Sequence, residues 1–247
     1  MLAFTVNSQD SLSYQKLIFE GENGIMPFRL LLPENYDETK EYPLVLVLHG
    51  SGERGDDNES QLVHGSGLFL KDEVREKYPA IVVFPQCEAN SSWAKIDVKG
   101  EWGKREFIFY EDAEPTPDML LLEELLKRLK RKYSIDSDRM YVGGLSMGGF
   151  GTFELVRRNP KMFAAAFPIC GGANPAIAKK LKKVAWWVFH GDADIVVPPK
   201  YSTQMVDALK SVGAEVKYSL YPDVEHNSWE NAFTEPELLP WLFSKSK

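Results

Sequence analysis

The sequence predicts an α/β fold: a mostly parallel sheet of about eight strands with helices on both faces. Three observations predict it. Short apolar runs of strand length alternate with helical patterns along most of the chain, the order in which βα units feed a parallel sheet. From residue 43 onward those runs are apolar at both alternating positions, as expected of strands covered on two sides. No internal repeat, low-complexity tract or Gly/Ser linker divides the 247 residues, so one domain spanning 1–247 is expected.

Taken in order, residues 15–20 and 27–32 read as an opening antiparallel pair. The later strand runs are PLVLVLHG (43–50), AIVVFPQ (80–86), RMYVGG (139–144), AAAFPICGG (164–172), VAWWVFHG (184–191) and VKYSLYP (216–222). Residues 117–132 predict a helix: Thr116 can cap it, Pro117 suits its first turn, Asp118 suits its positive end and Lys/Arg close it. A second helix covers 150–158, where Pro160 stops it, and a third covers 199–212, with Gly213 just past its end. Pro236 opens a last short helix. Residues 86–116 break the rhythm as a long polar connection holding Trp93 and Trp102, and connections of that length are usually functional.

Composition narrows the function. With 44% hydrophobic and 26% charged residues, the chain can bury a sizeable core. A net charge of −7, with no basic and aromatic interleaving, argues against a nucleic-acid partner. No run of about eighteen apolar residues exists, so no membrane span is expected. Cys87 and Cys170 do not make a disulfide framework and are expected as free, buried thiols. The start, MLAFTVNSQDSLSYQ, lacks a basic segment followed by an apolar one. The expectation is therefore a cytoplasmic protein, with secretion the alternative if a leader has been removed.

The stretch VGGLSMGGFG (142–151) places five glycines in ten residues around one serine. Within it, Gly144-Leu145-Ser146-Met147-Gly148 is a G-x-S-x-G pentapeptide between a strand and a helix, the context in which a serine hydroxyl is lifted above a sheet. Side chains at the flanking glycines would collide with neighbouring backbone. A serine needs a base to act as a nucleophile. Of the four histidines, His226, in a loop after the last strand, suits that role; His49 and His190 end strands and are expected to bond loop backbone, and His64 is an ordinary loop residue. The base needs a carboxylate, and HGDADIVVP (190–198) offers Asp192 and Asp194. Asp194, farther from the strand, is better placed to reach across, leaving Asp192 to cap a turn. The oxyanion donors expected are the backbone N–H of Met147 and that of Ser51 in LHGSGERGDD (48–57), with Gly52 second and a Glu53–Arg54 ion pair bracing the loop. Asp56, Asp57 and Glu59 lack the spacing of a calcium loop and read as a solvated face; no His/Cys spacing points to zinc, so neither metal nor cofactor is expected.

These pieces resemble the α/β-hydrolase superfamily, and more narrowly the esterases and peptidases near dienelactone hydrolase, the phospholipase/carboxylesterase family and the catalytic domain of prolyl oligopeptidases. The matching segments are LVLHGSGERG (46–55), FPQC (84–87), DRMYVGGLSMGGFGTFEL (138–155), FAAAFPICGG (163–172), VFHGDADIVVP (188–198) and YPDVEHNSW (221–229). The resemblance implies an α/β-hydrolase fold with Ser146 as nucleophile, Asp194 as acid, His226 as base, and Ser51 and Met147 as oxyanion donors. The chain has no room for the β-propeller that gates prolyl oligopeptidases, so a serine carboxylesterase acting on short-chain or aryl esters is the simpler reading. Trp93, Trp102 and Trp229 are the candidate lining of a pocket for aryl or hydroxycinnamoyl groups. A thioesterase or lipid-acyl hydrolase, a small serine peptidase and a non-catalytic binding module are the rivals. The partner expected is a small-molecule or chain-end ester; the oligomeric state is not legible.

Overall fold

A computed structural model describes residues 14–101 and 104–247; Trp102 lies outside the described residues. The chain opens with β1 (Gln15–Gly21), β2 (Gly24–Leu31) and β3 (Tyr42–Leu48). Two short helices, α1 (Ser66–Phe69) and α2 (Asp72–Lys77), lead to β4 (Ile81–Pro85). Next come β5 (Ile96–Lys99), β6 (Glu106–Phe109), α3 (Pro117–Lys132), β7 (Ile135–Leu145) and α4 (Met147–Arg158). Then follow β8 (Ala165–Ile169), α5 (Ala178–Leu181), β9 (Ala185–Gly191), α6 (Lys200–Ser211), β10 (Val216–Tyr221), α7 (Trp229–Thr234) and α8 (Leu238–Phe243).

Eight strands form one sheet in the order β1-β2-β4-β3-β7-β8-β9-β10. β2 runs antiparallel to both of its neighbours, and every pairing from β4 to β10 is parallel. One apolar layer, with Leu122, Leu126, Phe153, Trp186 and Met205, lies beneath α3, α4 and α6. The other, with Phe84, Tyr141, Phe167, Trp187 and Leu242, lies beneath α2, α7 and α8. A sheet covered on both faces explains why its central strands read as unbroken apolar runs.

The α3 start follows its sequence: Thr116 Oγ1 accepts the Met119 N–H at 3.1 Å and Pro117 occupies the first turn. Three expectations are corrected. β10 is an edge strand in which no residue is fully buried and Lys217 and Leu220 are exposed, so its cover is only partial. The 86–116 connection is not wholly irregular: β5 and β6 form an antiparallel hairpin whose Phe107 and Phe109 pack on Phe150 and Tyr201. The third concerns only what precedes the last helix: α8 follows Pro236 as expected, and a further short helix, α7, comes before it. No helix of the described residues is long and apolar enough to cross a membrane.

Candidate active site

The site lies where β3, β7, β8 and β9 end, the edge at which open α/β sheets bind ligands. Ser146 joins β7 to α4 at φ 53° and ψ −113°, a conformation a non-glycine residue holds only when its surroundings impose it. Those surroundings are backbone. A Cβ on Gly148 would stand 2.0 Å from the Leu48 carbonyl oxygen, and one on Gly144 would stand 2.6 Å from the oxygens of both Leu48 and Gly148. The glycines let β3, β7 and α4 meet closely enough to raise the serine.

The structure brings Ser146, His226 and Asp194 together from three loops. The Ser146 hydroxyl donates to His226 Nε2 at 3.0 Å, and His226 Nδ1 donates to Asp194 Oδ2 at 2.7 Å. Asp194 is buried. Its Oδ1 accepts the Val196 and Val197 N–H groups at 2.8 and 2.9 Å, and its Oδ2 also faces His190 Nε2 at 3.2 Å. Burial alone would raise its pKa, but the bonds from His190 and His226 outweigh burial and hold the carboxyl well below the usual range. Asp192, the alternative acid, instead accepts the Asp223 N–H at 2.7 Å and ties the His226 loop to β9. The two loops touch so closely that a Cβ on Gly191 would stand 2.1 Å from the Val224 oxygen.

The 49–54 loop lies against the serine turn. Ser51 opens a 3₁₀ turn (Ser51–Glu53) and Met147 opens α4. N–H groups in a helix's first turn lack intrahelical acceptors and are free to meet an anion. The expected Glu53–Arg54 ion pair does not form. Arg54 reaches the carbonyls of Ser51 and Ser91 at 3.0 and 3.1 Å, while Glu53 approaches His64 at 3.6 Å. Carbonyl acceptors span the loop, which a neighbouring carboxylate could not do. Asp57 accepts N–H groups from Glu59 and Ser60 at 2.8 and 3.0 Å, so it organises a turn and is not merely solvated.

His49 and His190 both serve buried networks. His49 Nδ1 donates to the Gly50 carbonyl at 2.6 Å and Nε2 accepts the Cys87 N–H at 2.9 Å. Burial lowers its pKa to about 4. His190 faces Val197 O at 2.8 Å and Ser202 Oγ at 2.6 Å, and its contact with Asp194 was not legible in sequence beyond the i, i+4 spacing of HGDAD.

Trp93 is corrected. It is 0% exposed, its Nε1 donates to His49 O at 3.1 Å and its ring packs against His49, so it supports the loop from beneath and lines no accessible pocket. Trp229 is half-buried, with its ring centroid 5.3 Å from that of His226 and 5.0 Å from that of His64. Trp229 thus packs between His226 and His64, a residue expected to be an ordinary one of a loop or helix.

A hydroxyl bonded to an imidazole that is bonded in turn to a buried carboxylate is the arrangement that activates serine toward acyl carbon. The family described as "Putative esterase" matches residues 22–231. The chain belongs to this family. It is a family of α/β-hydrolase esterases, and the eight-stranded sheet is the α/β-hydrolase fold. A solved thermostable esterase is 32% identical and superposes with a TM-score of 0.85, covering 97% of this chain and 64% of that one. The probable feruloyl esterase C of Aspergillus oryzae is 26% identical over 68% of this chain and 55% of its own length. The poly(3-hydroxyalkanoate) depolymerase C of Paucimonas lemoignei is 30% identical over 53% of this chain and 28% of its own. The chain therefore spans about half the length, or less, of these two curated relatives.

Proposed function

We propose that this esterase-family chain is a serine carboxylesterase, one α/β-hydrolase domain acting on hydroxycinnamoyl and related aryl esters. The observation that carries the reading is the continuous Ser146–His226–Asp194 hydrogen-bonded series on a strained turn. Ser146 attacks the ester carbonyl as His226 takes its proton, and Asp194 holds the imidazole and stabilises its cation. The oxyanion rests on the N–H groups of Met147 and Ser51. The alcohol leaves with the proton from His226, and water repeats the two steps on the acyl-enzyme.

The aryl preference draws support from the feruloyl esterase relative and from Trp229 beside His226. A flat apolar face next to the base suits an aromatic acyl group. The polyester depolymerase relative supplies the alternative of aliphatic hydroxyacid esters. Comparing kcat/KM for methyl ferulate, p-nitrophenyl acetate, p-nitrophenyl decanoate, a 3-hydroxybutyrate oligomer and a short peptide amide decides among them. Methyl ferulate is expected to lead the alkanoate esters once rates are corrected for the better p-nitrophenolate leaving group. A preference for decanoate would favour a lipid-acyl hydrolase, one for the oligomer an aliphatic polyesterase, and peptide cleavage a peptidase; each contradicts the proposal.

A further inference from the structure

Cys170 has no part in ester hydrolysis, yet it stands at the floor of the site. It ends β8 at φ 41°, in the left-handed region, and its N–H donates to the Phe189 carbonyl at 2.8 Å. The thiol is fully buried and faces Asp194. One donor atom from each of Cys170, Asp194 and His226 lies within 4.8 Å of the others. Ser228 adds an independent observation. Its side chain is 0% exposed, and among the described residues its hydroxyl has no partner at hydrogen-bond geometry other than the neighbouring Cys170 thiol.

We propose that Cys170 Sγ, an Asp194 carboxylate oxygen and a ring nitrogen of His226 form an inhibitory binding site for a soft divalent cation, with the Ser228 hydroxyl turned toward it. Sulfur, imidazole and carboxylate are a zinc and cadmium donor set. Metal–ligand bonds of about 2.0–2.3 Å place tetrahedral donors roughly 3.5 Å apart, so the His226 Nδ1–Asp194 Oδ2 pair opens from 2.7 Å while the remaining donors, all within 4.8 Å, adjust around the ion. Forming the metal–sulfur bond releases the thiol proton to solvent, and the imidazole moves its proton from Nδ1, the nitrogen facing Asp194, to Nε2, so that Nδ1 gives the lone pair. The ion thereby takes the two side chains that serve Ser146, so its occupancy opposes hydrolysis.

The test is a Cd²⁺ titration of the purified protein, followed by thiolate-to-cadmium charge-transfer absorption and by p-nitrophenyl acetate hydrolysis. Saturation of the absorption at one equivalent is expected, with parallel loss of hydrolysis that a chelator reverses. Cys170→Ala should abolish the absorption and weaken inhibition by at least about tenfold. Cys87→Ala should keep both, because the other thiol is not a donor. Ser146→Ala should keep the absorption, which reads the site even where hydrolysis cannot be followed. Should Cys170→Ala fail to fold, the Cys87→Ala and Ser146→Ala proteins still decide. Absence of charge transfer in the wild type, its loss in Cys87→Ala, or equal inhibition of wild type and Cys170→Ala overturns the proposal.

Discussion

Four donors converge on the Asp194 carboxylate: two backbone N–H groups on Oδ1, and His226 and His190 on Oδ2. The two imidazoles share one oxygen, so replacing that oxygen reverses a polarity. Asp194→Asn puts an amide where His226 needs an acceptor, and kcat for methyl ferulate should fall by about 10³–10⁴ with KM little changed. His190 makes no bond to the serine; besides its bonds to Val197 O and Ser202 Oγ, it bears on the reaction by holding Asp194. His190→Ala should lower kcat by about tenfold, and His190→Gln, which restores a donor, should recover part of it. Equal losses in the two variants would make His190 purely structural. The order of Ser146, Asp194 and His226 was legible because each sits in a short segment with its own strand-end context. The convergence of His190 and Cys170 on Asp194 was not, because sequence gives a residue's position on a strand but not where its side chain points once the strand has ended.

At the scale of elements, the loop after β3 depends on Trp93. Its indole donates to His49 O and its side chain fills the space above Gly151, where a Cβ would stand 2.4 Å from Trp93 Cβ. Trp93→Ala should cost about 3–5 kcal/mol in urea unfolding, as a large core deletion does. Trp93→Phe keeps most of the packing and loses one hydrogen bond, costing about 1 kcal/mol. In the Phe variant the ratio of methyl ferulate to acetate hydrolysis should stay at the wild-type value; a selective loss on ferulate would return Trp93 to the substrate. Here the sequence misled for a physical reason. A tryptophan on a long polar connection reads as a surface aromatic, yet this connection folds back across the sheet end. The β5–β6 hairpin was illegible because its strands are four residues each, IDVK and EFIF, too short to show alternation.

The whole molecule should lose stability in mild acid, and His49 sets the upper window. Its folded pKa of about 4 lies below the ordinary value of 6.5, so its contribution is complete above pH 6.5 and is lost as pH falls toward 4. Between pH 7 and 5 this one group costs about 2 kcal/mol. His49→Gln, which keeps an acceptor for the Cys87 N–H, should flatten that decline in urea unfolding; an unchanged slope would assign it elsewhere. Asp194, depressed by its imidazole partners, adds stability present above its unfolded pKa near 4 and lost below it. The sheet was the most legible feature at this scale, since its central strands are buried on two faces and announce themselves as apolar runs. The exposed edge of β10 was hidden by its aromatic and aliphatic residues, Val216 and Tyr218 packing on one apolar layer and Tyr221 on the other.

The central claim is that ester hydrolysis passes through Ser146. Its most direct measurement is active-site titration with a fluorophosphonate, followed by intact-mass analysis, peptide mapping and residual methyl ferulate hydrolysis. The account predicts one adduct per chain, located on Ser146, with activity lost in proportion to labelling and no adduct on Ser146→Ala. An adduct on another residue, or full hydrolysis by protein labelled at Ser146, would contradict it.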